Sequence, residues 1–175
     1  MDLFLNQDKE IELNQDNKHI IGQIVLWYCN DERFKGSMKK GLLLRGNCGT
    51  GKSLIVKHLA DVVKHGDNKN PILIHAKEIQ NAYQDKNEEE IKRLKERFLL
   101  IIDDLGTESV ETKTYGNSNE PFIDLFDYRY RNTLETIIVT NLTPEKIKEV
   151  YGERILDRFK EAFNEYVFEY KSFRK

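Results

Sequence analysis

Residues 41–60, GLLLRGNCGTGKSLIVKHLA, carry the pattern that most strongly predicts the fold. The stretch begins with a short apolar run, continues through a glycine-rich segment and ends in apolar residues at helical spacing. Within it, residues 46–53 match the phosphate-loop pattern G-x-x-x-x-G-K-[ST] at every fixed position. The motif lies between a predicted buried strand and a predicted amphipathic helix, which is the context it requires. The stretch therefore predicts a nucleotide-binding loop.

Each residue type in this loop suits one part of a triphosphate. Glycines let backbone N–H groups curl around phosphate oxygens, and the helix starting near Gly51 adds the positive end of its dipole. We predict that Lys52 reaches the β- and γ-phosphates and that the Ser53 hydroxyl binds Mg²⁺. Cys48 occupies a variable position and is interpreted as a small loop residue. The predicted ATP-binding residues are Gly46, Asn47, Cys48, Gly49, Thr50, Gly51, Lys52 and Ser53.

Predicted strands and helices alternate along the whole chain, after a polar arm over 1–17. The alternation predicts an α/β fold around a mostly parallel sheet. The segment 98–103 is apolar on both faces, as expected for a strand in the middle of such a sheet. Strands are predicted at 41–45, 71–76, 98–103, 136–141 and 165–170, helices at 19–28, 52–65, 77–97, 122–132, 144–151 and 153–163, and a loop at 109–121.

Composition limits the class of protein. The 175 residues, 39% hydrophobic and 33% charged, fit one globular domain. The longest apolar runs are too short to cross a bilayer, and residues 1–13 lack the pattern of a secretion signal, so we expect a cytoplasmic protein without a membrane partner. The net charge of −2 neither supports nor excludes nucleic-acid binding. The four histidines, at 19, 58, 65 and 75, are interpreted as structural or surface residues.

Two aspartates end the predicted strand 98–103. A carboxylate at a strand tip beside a phosphate loop can hold the hydration shell of Mg²⁺, a role assigned to Asp103. We predict that Asp104 faces the γ-phosphate and orients or activates the attacking water. The alternative is that the pair marks only a turn or a helix cap.

Asn141 ends the predicted strand 136–141. Parallel strands present functional groups at their carboxyl ends, so this amide should share an edge with Asp103 and the phosphate loop. It could hydrogen-bond both the nucleophilic water and the γ-phosphate. The alternative is that it caps the following helix.

The predicted helix 153–163 carries two arginines on one face. Helical spacing places Arg154 and Arg158 away from the apolar face and therefore outward. This arginine face is either a solvated surface or an arginine finger that enters the ATP site of a neighbouring subunit. In the second case the guanidinium stabilises transition-state charge. The spacing leaves both alternatives open.

Taken in order, five segments resemble the AAA+ ATPases of the DnaC/IstB type, which are bacterial helicase loaders and transposition helper ATPases. The resemblance covers about residues 41–175. The segments are GLLLRGNCGTGKS (41–53), FLLIIDDLGTE (98–108), LFDYRYRN (125–132), TIIVTNL (136–142) and YGERILDRF (151–159).

The resemblance implies a role for each matching residue. Residues 46–53 correspond to the Walker A loop, Asp103 and Asp104 to the Walker B pair, and Asn141 to the sensor-1 residue. Arg158 corresponds to the arginine finger. Further candidates are Arg154 and Arg129 at a subunit interface and Arg174, in the closing KSFRK, as a nucleotide-sensing residue.

The resemblance also implies an architecture and partners. It implies a P-loop three-layer sandwich with a five-stranded sheet, an AAA+ core over 41–175 without a C-terminal lid, preceded by a short arm and helix over 1–40. Since 17 residues follow Arg158, we expect a neighbouring subunit to close the ATP site. The implied partners are another copy of the chain, single-stranded DNA, and a replicative helicase or a transposase, although helicase binding is normally the task of a larger N-terminal domain.

The sequence therefore predicts a Mg²⁺-dependent ATPase that acts as an assembly factor in DNA replication or transposition. Turnover is expected to be slow without a neighbouring subunit. One alternative is a nucleotide-binding switch with negligible hydrolysis. The other is a small-molecule P-loop kinase, which would need an acceptor pocket and an arginine-rich lid.

Overall fold

The computed structural model describes residues 15–66, 70–107 and 120–169. Most of the predicted loop at 109–121 and the candidate Arg174 lie outside these ranges. Within them, helices and strands alternate as the sequence predicts. The helices are α1 (Gln15–Tyr28), α2 (Lys52–Gly66), α3 (Ala76–Gln84), α4 (Glu88–Glu96), α5 (Glu120–Arg131), α6 (Pro144–Tyr151) and α7 (Glu153–Ala162), and the strands are β1 (Gly41–Gly46), β2 (Ile72–His75), β3 (Leu99–Leu105), β4 (Glu135–Thr140) and β5 (Phe163–Phe168).

The five strands form one sheet in the order β2-β3-β4-β1-β5, and every neighbouring pair is parallel. The predicted five-stranded α/β architecture is confirmed. In this order β1 lies between β4 and β5, and β3 lies beside β4. The carboxyl ends of β1, β3 and β4 therefore meet at one edge of the sheet, and this edge positions the candidate site.

Apolar strands are required because helices cover both faces of the sheet. Along β1, Leu43 packs in the cluster beneath α3 to α7, whereas Leu42 and Leu44 pack in the cluster beneath α1 and α2. All three leucines are buried. This two-sided burial explains why β1 and β3 are continuous apolar runs rather than alternating ones.

Helix α1 begins at Gln15, four residues before the predicted start. It buries only one face, with Ile20, Ile24 and Trp27 against the sheet and Val25 exposed. The expectation of a polar arm is therefore wrong for residues 15–17, which belong to the helix. Within the described ranges, no helix has both the length and the apolar character needed to cross a bilayer.

The predicted single helix at 77–97 is wrong, because the segment forms two helices. The chain leaves helical geometry at Lys86, where φ is 51°, and Asn87 then caps α4 by accepting a hydrogen bond from the Glu90 N–H at 3.1 Å. A polar, charge-rich segment can fit one helix or two, so composition alone does not locate such a break. Arg93 forms an i,i+3 ion pair with Glu90 at 3.2 Å within α4.

Arg129 is fully buried in α5 and has a structural role. Its Nε donates to Thr136 Oγ1 at 3.0 Å, and its Nη2 donates to the Glu135 carbonyl at 2.5 Å. Burial lowers the pKa of this guanidinium to about 10. The Nη1 group donates to the carbonyls of Leu94, Lys95 and Arg97 at 2.9, 3.2 and 2.9 Å.

These bonds tie α5 to the end of α4 and to the start of β4. The prediction that Arg129 contacts a neighbouring subunit is therefore wrong. Its charge is held by backbone carbonyls inside the subunit, a possibility that spacing in the sequence cannot reveal.

Replacing Arg129 by alanine should destabilise the fold by about 3 kcal/mol, because several buried carbonyls lose a charged donor at once. Urea unfolding monitored by circular dichroism gives the free energy of unfolding. Arg131→Ala is the matched control, since Arg131 lies two residues away and is exposed, and it should cost about 0.5 kcal/mol or less. Equal losses in the two variants would contradict the structural role of Arg129.

Candidate nucleotide-binding site

The glycine-rich loop connects β1 to α2. Gly46, Gly49 and Gly51 have φ values of 141°, 79° and 87°, in the region that favours glycine. At Gly46 space is limiting as well, because a Cβ would lie 2.2 Å from the carbonyl oxygen of Phe168. The Asn47 N–H donates to the same carbonyl at 3.2 Å. The end of β5 thus holds the start of the loop in place.

Lys52 folds back into this loop and is buried. Its Nζ donates to the carbonyl oxygens of Gly46 at 2.9 Å and Asn47 at 2.7 Å, and lies 3.4 Å from Thr50 Oγ1. Burial lowers the pKa of the ammonium, and nearby Cys48, Asp104 and Asp103 act in the opposite direction. The cation therefore lies inside the loop that is predicted to cradle phosphates.

A hydrogen bond joins the loop to the acidic pair. Ser53 Oγ donates to Asp103 Oδ1 at 3.0 Å, although the two residues are 50 positions apart. The structure therefore brings together the two residues predicted to bind Mg²⁺. Their hydroxyl and carboxylate oxygens are hard donors of the kind that Mg²⁺ prefers, so the residues present fit this metal.

Asp103 is a buried carboxylate at the tip of β3. Burial raises its pKa, and the neighbouring Asp104 carboxylate raises it further. Hydrogen bonds from Ser53 Oγ and from the Asp104 N–H, the latter at 2.9 Å, oppose this rise. A cation beside Asp103 would favour its ionised form.

Asp104 lies in a β-bulge. Ile102 pairs with Ile138 and Leu105 pairs with Thr140, so β3 advances by three residues where β4 advances by two. Asp104 is the residue with left-handed geometry in this interval, at φ 54°. Its carbonyl accepts from the Thr107 N–H at 3.2 Å and from Thr107 Oγ1 at 2.8 Å. Both aspartates thus lie within β3, and Asp104 opens a turn over residues 104–107, called the acidic turn below. Asp103 faces the phosphate loop through its bond with Ser53.

His75 was missed as a site residue by the sequence analysis. It ends β2, pairs in register with Asp103, and places Nδ1 4.0 Å from Asp104 Oδ2. One ligand atom from each of His75, Asp103 and Asp104 can be chosen so that the three lie within 4.8 Å of one another. The rule applied to Asn141, that polar residues at strand tips reach the site edge, would have found it.

Asn141 follows β4 directly and is exposed. The preceding Thr140 pairs with Leu105 of β3 and with Arg45 of β1. Asn141 therefore lies at the edge that also carries the acidic turn and the phosphate loop. Its role toward water and phosphate stays a prediction.

The α7 arginines contact α5. Arg158 forms an ion pair with Asp127, lies with its guanidinium 5.2 Å from the centre of the Tyr130 ring, and has a side chain that is only 17% exposed. Arg154 pairs with the same carboxylate at 3.2 Å and is 67% exposed. Arg131 adds a third contact at 3.8 Å. The expectation of an outward face thus holds for Arg154 but is wrong for Arg158, because Asp127 and Tyr130 cover it.

The family model described as "Protein of unknown function (DUF815)" matches residues 22–116, more than half of the chain. The chain belongs to the DUF815 family.

This DUF815 chain is also similar to replication proteins. It is 25% identical over 130 residues to the chromosomal replication initiator protein DnaA of Streptococcus agalactiae, a match that covers 71% of the chain but 28% of that protein. The chain thus spans less than a third of the length of this relative.

Two solved structures share the fold of the DUF815 chain. A DnaC helicase loader superposes with a TM-score of 0.71 at 20% identity, covering 95% of this chain and 96% of that one. A replication initiator DnaA bound to AMPPCP and single-stranded DNA superposes with a TM-score of 0.69 at 19% identity, covering 91% and 48%. The predicted resemblance to the DnaC-type AAA+ fold is confirmed.

Asp103→Asn should stabilise the ligand-free protein at pH 7. Because burial raises the folded pKa above the unfolded value near 3.8, the unfolded chain ionises first. The free energy of unfolding therefore falls as the pH rises from about 3.8 through the folded pKa, and the loss is complete above it. Asparagine keeps an oxygen acceptor for Ser53 and removes the charge. Thermal unfolding should show a rise of about 2–4 °C for each kcal/mol gained.

The gain from Asp103→Asn should shrink as the pH falls towards 4, where Asp103 of the natural chain becomes protonated. Ser53→Ala is the opposite control, since it removes a hydrogen bond that favours the ionised carboxylate and should lower the unfolding temperature. A variant no more stable than the natural chain at pH 7 would contradict the predicted charge penalty.

Proposed function

We propose that this protein binds ATP with Mg²⁺, hydrolyses it in the cytoplasm, and acts as an ATP-dependent assembly factor on DNA or on a DNA-bound partner. The observation that carries the proposal is the 3.0 Å hydrogen bond between Ser53 and Asp103. It connects the phosphate-loop motif, which follows β1, to the buried Asp103 carboxylate near the carboxyl end of β3. A buried carboxylate beside a glycine-rich loop is costly for stability, and such costly groups cluster at functional sites.

The residues of the site divide the work. Backbone N–H groups of the loop and the Lys52 ammonium would bind the phosphates, which requires Lys52 to exchange carbonyl partners for phosphate oxygens. Ser53 and Asp103 would hold Mg²⁺, which supplies charge neutralisation when bound. Asp104 would accept a proton from the attacking water, and Asn141 would orient that water.

We propose that Arg158 acts on the ATP of a neighbouring copy. In the single subunit Asp127 neutralises this guanidinium and Tyr130 covers it. Reaching a neighbour's phosphates would require exchange of the Asp127 carboxylate for a phosphate oxygen, a second anionic partner of similar geometry. Slow turnover in the isolated subunit follows from this arrangement.

The proposed context is DNA replication or transposition. The solved DnaA structure with the same fold holds both AMPPCP and single-stranded DNA, and the DnaC structure is that of a helicase loader. By analogy we propose single-stranded DNA and a replicative helicase or transposase as partners of this chain.

ATP turnover per subunit should rise with protein concentration, and further with single-stranded DNA. Phosphate release measured across a concentration series, with and without DNA, tests this expectation. Arg158→Ala should lower the rate by about 10³-fold or more while fluorescent ATP still binds. Lys52→Ala should lose binding as well, and Arg131→Ala is the matched control, because it also contacts Asp127 but lies on α5.

Turnover that is independent of concentration and unaffected by Arg158→Ala would contradict the shared site. Binding of ATP without phosphate release, under all conditions, would select the nucleotide switch, which the intramolecular Asp127–Arg158 pair favours. The kinase alternative needs an arginine-rich lid, and the segment 77–97 does not supply one, because it forms the packed helices α3 and α4.

A further inference from the structure

Regular strand pairing does not hold the end of β3, with its two aspartates and the acidic turn, against the segment that carries Asn141. The ladder between β3 and β4 is regular up to Ile102 and Ile138 and then shifts at the bulge. It resumes only at Leu105 and Thr140, after both aspartates. Another contact must therefore fix the acidic turn relative to Asn141.

The side chain of Thr140 supplies this contact. Its hydroxyl donates to the Leu105 carbonyl oxygen at 2.7 Å and accepts from the Leu142 N–H at 3.0 Å. One hydroxyl thus donates a hydrogen bond to the acidic turn and accepts one from the segment that follows β4. Leu105 follows Asp104, and Asn141 lies between Thr140 and Leu142. The side chain is fully buried, so water does not compete for these bonds.

An apolar contact supports the same junction. Gly106 has φ +102°, and a Cβ placed there would lie 2.6 Å from Leu142 Cδ1. The Leu142 side chain therefore packs directly on the turn that follows the aspartates. The hydroxyl bridge and this packing together set the distance between the acidic turn and the segment that carries Asn141.

We propose that Thr140 is a positioning residue that holds Asp104 and Asn141 in the relative placement needed for water attack. The inference rests on the proposed ATPase function. Thr140 touches no reacting atom and acts through the backbone of its neighbours. The catalytic step should therefore depend on its hydroxyl more strongly than ATP binding does, since the phosphate loop lies on a different strand.

The same strand provides a matched control. Thr136 is also buried, and its hydroxyl also makes two hydrogen bonds, accepting from Arg129 Nε at 3.0 Å and donating to the Leu134 carbonyl at 3.0 Å. It lies at the opposite end of β4 from the site. Thr136→Val and Thr140→Val thus each remove a buried hydroxyl with one donated and one accepted hydrogen bond, at the two ends of one strand.

The experiment measures kcat, KM, the affinity for a fluorescent ATP analogue and the unfolding temperature of the full chain and its variants. Thr140→Val should lower kcat by about tenfold or more, because a small misplacement of catalytic groups is costly. Its ATP affinity should stay within about threefold of that of the natural chain. Thr140→Ser should restore kcat, and Thr136→Val should lower the unfolding temperature without lowering kcat.

Three results would overturn the inference: an unchanged kcat in Thr140→Val, an equal loss in Thr136→Val, or no rescue in Thr140→Ser. If the valine variant does not fold, Thr140→Ser and Thr140→Ala give the same contrast, since they differ by one oxygen. Absence of turnover in the natural chain would overturn the proposed function as well. Turnover in the natural chain together with a normal Thr140→Val overturns this inference alone.

Discussion

The hydrogen bond from Ser53 to Asp103 connects the two halves of the site. Ser53 lies at the start of α2, whereas Asp103 lies near the carboxyl end of β3. The two elements meet because β1, which leads into α2, and β3 flank β4 in a parallel sheet. The contact also has an electrostatic consequence. A buried carboxylate beside Asp104 has few partners that favour its charge, and the Ser53 hydroxyl is one of them. Because burial and Asp104 disfavour the ionised form of Asp103, a cation that binds beside this carboxylate would relieve an unfavourable charge.

The candidate site residues and the residues with a structural role lie at opposite ends of the strands. At the carboxyl ends of the strands lie the phosphate loop, the acidic turn, His75 and Asn141. At the opposite ends, the Arg129 guanidinium donates hydrogen bonds to backbone carbonyls and to Thr136, and these bonds fix α5 to α4 and β4. Both ends contain buried cations, Lys52 and Arg129, and both hold them with carbonyl oxygens. They differ in position, since Lys52 begins α2 beside the glycine-rich loop whereas Arg129 lies in the last turn of α5.

The features recovered from sequence are those with a fixed local period or spacing. The glycine-rich loop between β1 and α2, the five strands and the helix start at Pro144 belong to this group, because each depends on residues close in sequence. The burial of Arg129 and the covering of Arg158 depend on partners from other elements, which spacing does not encode. The bulge at Asp104 was also out of reach, since its left-handed backbone is a property of the pairing with β4. His75 could have been found from its strand-tip position.

The sharing of Asp127 by Arg131, Arg154 and Arg158 has a consequence for the interpretation of variants. When one of three arginines that share a carboxylate is removed, the ion pairs of the other two with that carboxylate change. Loss of Arg154 would leave Asp127 more completely to Arg158, and loss of Asp127 would leave three guanidiniums to repel one another. Substitutions at these positions are therefore thermodynamically coupled, and the effect of a double substitution will not equal the sum of its parts.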